Sequence, residues 1–423
     1  MSYSQRREAA GGQGHIFFGG SSGLNPLAPE FKLSQRSSRV PPPPSASQIF
    51  ELRQTGERGL GLFAVAHIPR GTLILVEKAL FQTTGPQTQL AWGQYVRLDD
   101  SQKAAYDSLH AFNPEHLELE HTSWTCLRDF CRHIDDPNEV ENAVAEHIRV
   151  MSIFATNNIR ITENQLAVYA TASRLNHSCA PNVVHTFNKR LRMLEVRAVR
   201  DIIPNEELLC NYLGMEAMYS VRSQRFEILR NNYGFTCHCK ACSDETGASD
   251  RRRLLLEAIV WGLKQYDNNE PVTTLAPVPG EPNPYIPIDE RAAFLQAGDV
   301  IEFLIKEGTE SLPLARAYHT ASAKAMDVKN YDKAMEYCEI EMEIERNCIG
   351  HTTTTGWRQE LLRVIKYRLG FKKMRKYLKD EEVKFHEDRY AANQKKKAGK
   401  MGRAEKVNKY LEGVEQSAVA TGW

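Results

Sequence analysis

Three cysteines fall within six residues in Cys237-His238-Cys239-Lys240-Ala241-Cys242, and this C-x-C-x2-C cluster restricts the chain more than any other feature. Exposed thiols this dense would be an oxidation liability. The total of nine cysteines is odd, and the others are scattered at Cys126, Cys131, Cys179, Cys210, Cys338 and Cys348. A reducing compartment disfavours disulfides, so the cluster reads as a metal site. Tetrahedral zinc takes four ligands, with Zn–S bonds of about 2.3 Å. The fourth ligand would come from His238, Cys210 or Cys179. His238 is squeezed between two ligands and its ring would point away from the shared site, so Cys179 is preferred. The alternative is three thiols that bind nothing.

Compartment and partners follow from charge and hydropathy. Arg6, Arg7 and Glu8 stand where a signal peptide needs apolar residues. No apolar run approaches the roughly 18 residues of a membrane span. A cytoplasmic or nuclear protein without membrane contact is expected. With 54 Lys and Arg against 53 Asp and Glu, the net charge is +1, and no global field favours nucleic acid. A local basic run, Lys395, Lys396, Lys397, Lys400, Arg403, Lys406 and Lys409, reads as a solvated helix face or a nuclear-import patch.

The 423 residues suggest two or three domains at roughly 150 residues each. Residues 1–45 are rich in Gly and Ser, end in Pro41 to Pro44, and read as a disordered arm. From Ile49 short β-type runs appear: Phe50 to Arg53, Leu62 to Ala66 and Thr72 to Ala79. Between about 88 and 175 the pattern is helical. Asp100 and Ser101 would cap a helix through Phe112, and Pro137-Asn138 would open one from Glu139 to Phe154. Strand texture returns at Val183 to Phe187 and Leu191 to Val199, with Asn188-Lys189-Arg190 as the link, and a helix starts near Ser220. Residues 251–423 are helical, interrupted by a Pro-rich link from Pro271 to Pro287 that reads as a domain boundary. Leu314 to Asp327 and Tyr331 to Arg346 form a helix pair spaced like one tetratricopeptide (TPR) repeat, or equally an ordinary helical hairpin.

Three further segments carry polar chemistry. Asn176-His177-Ser178-Cys179-Ala180-Pro181-Asn182 has a bland reading as a tight turn bonding its own backbone, which does not explain the ligand candidate inside it. Gly59-Leu60-Gly61 allows close backbone approach but lacks the third glycine and following helix of a dinucleotide site. Asn205-Glu206-Glu207-Leu208 leads to Tyr212, which taken by itself reads as a core aromatic.

In this order the Gly-x-Gly strand, Asn-His-Ser-Cys, Glu-Glu-Leu-x3-Tyr and C-x-C-x2-C resemble the SET-domain lysine methyltransferases. The nearest likeness is to the SET-and-MYND (SMYD-like) branch and its fungal-type relatives, through Tyr233-Gly234-Phe235-Thr236-Cys237-His238-Cys239. The resemblance covers about 48 to 243. It implies an α+β chain: a β-rich SET fold at 46–214 with a pseudoknot and a helical insertion at about 88–160, a cysteine-rich post-SET zinc segment at 215–245, and a C-terminal all-α lobe. S-adenosylmethionine would enter one face and a protein lysine the other. Gly59, Gly61, Asn157, Asn176, His177, Tyr212 and Phe235 would meet the cofactor, with Asn158 as an alternative register for Asn157. Tyr212 and Tyr233 would be catalytic, and Cys179, Cys237, Cys239 and Cys242 would hold a structural zinc. The protein substrate would present a lysine, and further protein partners would dock on the helical lobe. Asn205 replaces the family's usual glycine, a mild departure because Asn tolerates positive φ. The MYND finger is missing, since Cys126 and Cys131 are too few thiols for it. A competing reading is a SET-fold scaffold with weak or no activity.

Overall fold

The structure, a computed structural model, describes residues 49–84, 90–214, 218–268 and 284–350. The N-terminal arm, most of the Pro-rich link and the basic C-terminal run lie outside these residues. Strands β1 (Phe50–Gln54) and β2 (Leu60–Ala64) form an antiparallel hairpin with Leu52 opposite Leu62. Gly59 turns the chain at φ 71°, ψ −134°, which a residue with a Cβ resists. Strand β3 (Leu73–Glu77) pairs with β9 (Met193–Ala198), which pairs on its other edge with β8 (Val183–Asn188). A third sheet has the order β4 (Phe81–Thr84), β6 (Gln165–Val168), β5 (Ile159–Thr162). The fourth is a two-residue parallel pair, β7 (Asn176–His177) with β10 (Leu209–Cys210).

The insertion between β4 and β5 comprises α1 (Leu90–Tyr95), α2 (Asp100–Asp107), α3 (Leu119–Cys131) and α4 (Pro137–Asn157). Asp99, rather than Asp100 or Ser101, caps α2: its carboxylate accepts the Gln102 N–H, and the Gln102 side chain accepts the Asp99 N–H. That helix stops at Asp107, short of Phe112. The α-helical stretch also ends at Asn157 rather than running to 175, with only a short 3-10 turn at Ala172–Arg174 beyond it. The β-branched residues Ile159, Ile161 and Thr162 favour a pleated chain, and residues 159–168 fold back as a hairpin. Phe81 holds the insertion to the sheet through the rings of Tyr106 and Phe154, 5.4 and 5.8 Å away.

Helix α5 (Arg222–Tyr233) ends at Gly234 with φ 75°. A Cβ there would lie 2.6 Å from the Phe112 ring, so both the left-handed cap and the close approach require glycine. The chain thereby turns into the cysteine cluster. Helices α6 (Ala248–Asn268), α7 (Glu290–Lys306), α8 (Leu312–Asp327) and α9 (Tyr331–Ile349) complete the described chain.

The Pro-rich link lies between α6 and α7, yet Leu256 and Ile259 of α6 share one core with Ile301, Leu304, Leu314 and Ile340 from the other three helices. The link is therefore internal to the helical region and separates no cores. That same core takes in Val184 of β8 and Val199, so the helices are packed directly on the β3-β9-β8 sheet. Arg70 reinforces the seam, donating to the Val199 carbonyl at 2.7 Å and pairing with Glu310. In the α8–α9 hairpin the hydroxyl of Ser322 donates to the Ala334 carbonyl at 2.8 Å. Among the described residues no helix is long and apolar enough to cross a membrane.

Candidate active site and metal centre

Residues 206–210 are laced between two segments far away in sequence. On one side the Ala64 N–H donates to the Glu206 carbonyl (2.9 Å) and the Leu208 N–H to the Leu62 carbonyl (2.7 Å). On the other, the Ser178 N–H donates to the Cys210 carbonyl (2.9 Å) and the Asn182 N–H to that of Leu209 (3.1 Å). The side chain of Asn182 is buried and closes the knot, accepting the Leu209 N–H (2.7 Å) and donating to the Glu207 carbonyl (2.8 Å). Asn205 enters this segment at φ 68°, as its residue type allows.

One polar cluster surrounds Gly61. The Asn176 amide donates to Glu207 Oε1 at 2.8 Å and to the Leu60 carbonyl at 3.3 Å, while Arg58 pairs with Glu207 Oε2 at 2.6 Å. A Cβ on Gly61 would come within 2.6 Å of that carboxylate and 2.9 Å of that amide, so glycine is a condition of the contact. Glu207 and Arg58 are functional candidates that sequence reasoning passed over; Glu207 lay inside a quoted motif with nothing to distinguish it from Glu206.

The second cluster is aromatic. Tyr212 lies 5.0 Å from Tyr233, 5.3 Å from His177 and 6.3 Å edge-on from Phe235, measured between ring centroids. Its hydroxyl donates to the Leu175 carbonyl at 2.6 Å. Burial pushes the Tyr212 phenol well above its ordinary range and Tyr233 up to about 12, so both remain protonated donors at neutral pH. A cavity of about 340 Å³ runs past both tyrosines, with Asn157, Asn158 and Leu175 in one wall and Thr309 and Ser311, from the loop before α8, in another. Asn157 is buried and its amide donates to the His110 and Ile153 carbonyls, both at 2.7 Å; Asn158 is half-buried and bonds back to Phe154 and Ala155. Gly59, Gly61, Asn176, His177 and Phe235 are not among the residues that line this cavity, whereas Cys179 is.

The third cluster is the predicted ligand set. The sulfurs of Cys179, Cys237, Cys239 and Cys242 all lie within 4.8 Å of one another, with Cys179 and Cys242 3.5 Å apart. Ligands on one tetrahedral zinc with bonds of about 2.3 Å would stand roughly 3.8 Å apart. Neither His238 nor Cys210 belongs to the group: Cys210 Sγ faces the Leu175 carbonyl instead. Three sulfurs are surrounded by N–H groups, Cys179 by His177 Nε2, Cys242 by Arg225 Nη2 and Cys237 by the Cys239 amide, each at 3.4 Å. Hydrogen bonds onto sulfur are what thiolate ligands require, so the donor set fits zinc. Arg225 is buried, yet in sequence Arg222-Ser-Gln-Arg225 reads as a solvated helix face, so nothing pointed to it.

Comparison with known proteins finds similarity over the same part of the chain. The SET domain family model matches residues 161–213, which run from β5 to just past Tyr212. The histone-lysine N-methyltransferase set5 of Schizosaccharomyces pombe is 28% identical over 202 residues, 48% of this chain and 53% of that protein. The N-lysine methyltransferase SMYD2-A of Danio rerio is 31% identical over 167 residues, 37% of this chain and 36% of that protein. The chain thus spans between about a third and a half of the length of these curated relatives. A solved SET domain of LSMT bound to lysine and AdoHcy aligns over 77% of this chain and 88% of its own, at 13% identity and a TM-score of 0.30. The match to the SET domain family model thus covers residues 161–213 of this chain. The chain's curated relatives carry the names of lysine methyltransferases.

Proposed function

We propose that this chain transfers methyl groups from S-adenosylmethionine to lysine side chains of proteins. The observation that carries the reading is Tyr212, whose hydroxyl is held on the Leu175 carbonyl while its ring packs against that of Tyr233 in the lining of the cavity. S-adenosylmethionine supplies an electrophilic methyl on a sulfonium. The amine lone pair forms the new C–N bond as the C–S bond breaks, and the alkylated ammonium then loses a proton to solvent. At pH 7.4 a free lysine, with pKa about 10.4, is mostly protonated, and presenting the neutral amine costs about 4 kcal/mol. The aromatic walls lower that cost by disfavouring the ammonium, and their rings hold the alkyl stem in line. The Tyr212 and Tyr233 hydroxyls orient the amine. Gly59, Gly61, Asn157, Asn176, His177 and Phe235 are assigned to the cofactor, with the two glycines and His177 supplying backbone and Asn176 its side-chain carbonyl oxygen.

The four cysteines are assigned to one structural zinc, whose coordination they would complete without leaving a place for substrate. Its task is to fix Tyr233 and Phe235 against the knot. The helical lobe is assigned to selecting the protein substrate and its partners, because Thr309, Ser311 and Pro313 stand in the cavity wall. Cytoplasm or nucleus is the compartment that would keep these thiols reduced.

The test is titration of the purified protein with S-adenosylmethionine by calorimetry, followed by transfer of a radiolabelled methyl to histones and to a soluble protein extract. Cofactor binding with label on lysine supports the activity. No heat and no label would leave the scaffold reading in its place. Elemental analysis should find close to one zinc per chain, and Cys179→Ala with full zinc occupancy would refute the ligand assignment.

A further inference from the structure

His177 makes three contacts that tie the metal centre to the catalytic tyrosine. The Tyr212 N–H donates to His177 Nδ1 at 3.0 Å. A ring nitrogen that accepts carries no proton, so the ring is neutral and its proton sits on Nε2. Nε2 lies 3.4 Å from Cys179 Sγ and donates to it. The Tyr212 ring stands 5.3 Å from the same imidazole. His177 is 6% exposed and its backbone is fixed by β7, whose partner β10 ends two residues before Tyr212. Its side chain thus has no nitrogen left for a cofactor.

We propose that His177 is a positioning residue: it transmits the location of the zinc-bound Cys179 sulfur to the backbone of Tyr212, so that metal occupancy sets the catalytic geometry. The inference rests on the zinc and methyltransferase readings above and adds a route between them. Arg225 provides the contrast. It bonds Cys242 of the same centre but donates its other end to the Ser220 carbonyl, away from the tyrosine. Loss of Arg225 should loosen the metal, whereas loss of His177 should also release Tyr212.

Two variants split the imidazole. His177→Gln places an amide donor near the former Nε2 and leaves the Tyr212 N–H without its acceptor. His177→Asn keeps an acceptor near the former Nδ1 but cannot reach Cys179. Zinc release to a chromogenic chelator, kcat and the KM for a protein substrate are measured for both variants, Arg225→Gln and wild type. The His177 ring tautomer is read by nitrogen NMR of histidine-labelled, zinc-loaded wild type.

The expected tautomer is Nε2–H. His177→Gln should keep wild-type zinc release but lose at least tenfold in kcat with KM little changed. His177→Asn should release zinc several-fold faster. An Nδ1–H tautomer, a wild type without zinc, or a His177→Gln variant with wild-type kcat overturns the bridge. If zinc-loaded wild type shows the Nε2–H tautomer but no protein is methylated, the bridge to the backbone stands and the activity reading alone fails, since tautomer and zinc release require no turnover.

Discussion

On the proposed activity, the hydroxyl of Tyr212 serves folding and chemistry through one oxygen atom. Removing it forfeits one hydrogen bond to the Leu175 carbonyl, which contributes about 1 kcal/mol. The same oxygen faces the cavity where the amine would react. Tyr212→Phe should therefore unfold within about 1.5 kcal/mol of wild type, bind S-adenosylmethionine normally and methylate at least roughly 100-fold more slowly. Equilibrium denaturation and single-turnover assays check the two halves. A different residue contributes to acid stability. His147 is 1% exposed, its Nδ1 lies 2.9 Å from the Ser123 hydroxyl, and burial pushes its pKa below the usual 6.5. The folded protein then binds fewer protons than the unfolded chain as pH falls below 6.5. Stability from this group is complete above that pH and is lost on acidification, by up to about 1.4 kcal/mol per pH unit until the folded state titrates too. His147→Gln should flatten the fall of the unfolding midpoint as the pH drops below 6.5.

Among the elements, one buried carboxylate ties the start of α6 to the end of α7 beside their shared core. Glu307 accepts from the Ser249 hydroxyl (2.6 Å), Arg252 (2.7 Å) and Arg253 (2.9 Å), and its side chain is 1% exposed. Glu307→Ala strands the equally buried Arg253 and should destabilise the protein by about 3–5 kcal/mol in urea unfolding. Helices such as α4 and α9 were legible because Pro137 and Asn330 mark their starts and their apolar residues recur along one face. The parallel pair β7–β10 was legible only as motifs. Two-residue strands have no periodicity, and their pairing partner lies more than thirty residues away. The convergence of four thiols was readable from their spacing plus Cys179, whereas Arg225 and Glu207 were not, because a charged residue in a polar stretch gives no sign that folding will bury it.

For the whole molecule, the helical region cannot be detached cleanly. Val184 and Val199 of the β-rich part belong to the core formed by α6, α7, α8 and α9. A chain ended after residue 247 would expose that face, and we expect it to aggregate and to bind a hydrophobic dye, as seen by size exclusion and fluorescence. A monodisperse fragment with wild-type affinity for S-adenosylmethionine would contradict this. Substrate selection by the lobe is better tested by exchanging Thr309 and Ser311 within the full chain.

The laced segment has a consequence for biosynthesis. Among the described residues, the β2 edge away from β1 finds its backbone hydrogen-bond partners in residues 205–208, roughly 140 residues downstream. At ~5–20 residues per second, a ribosome needs about 7–30 s to deliver them. Throughout that interval Leu62 and Ala64, both fully covered in the finished protein, have no strand to cover them. The nascent chain therefore carries an unpaired apolar edge for seconds before the knot can close, the kind of surface that holding chaperones engage.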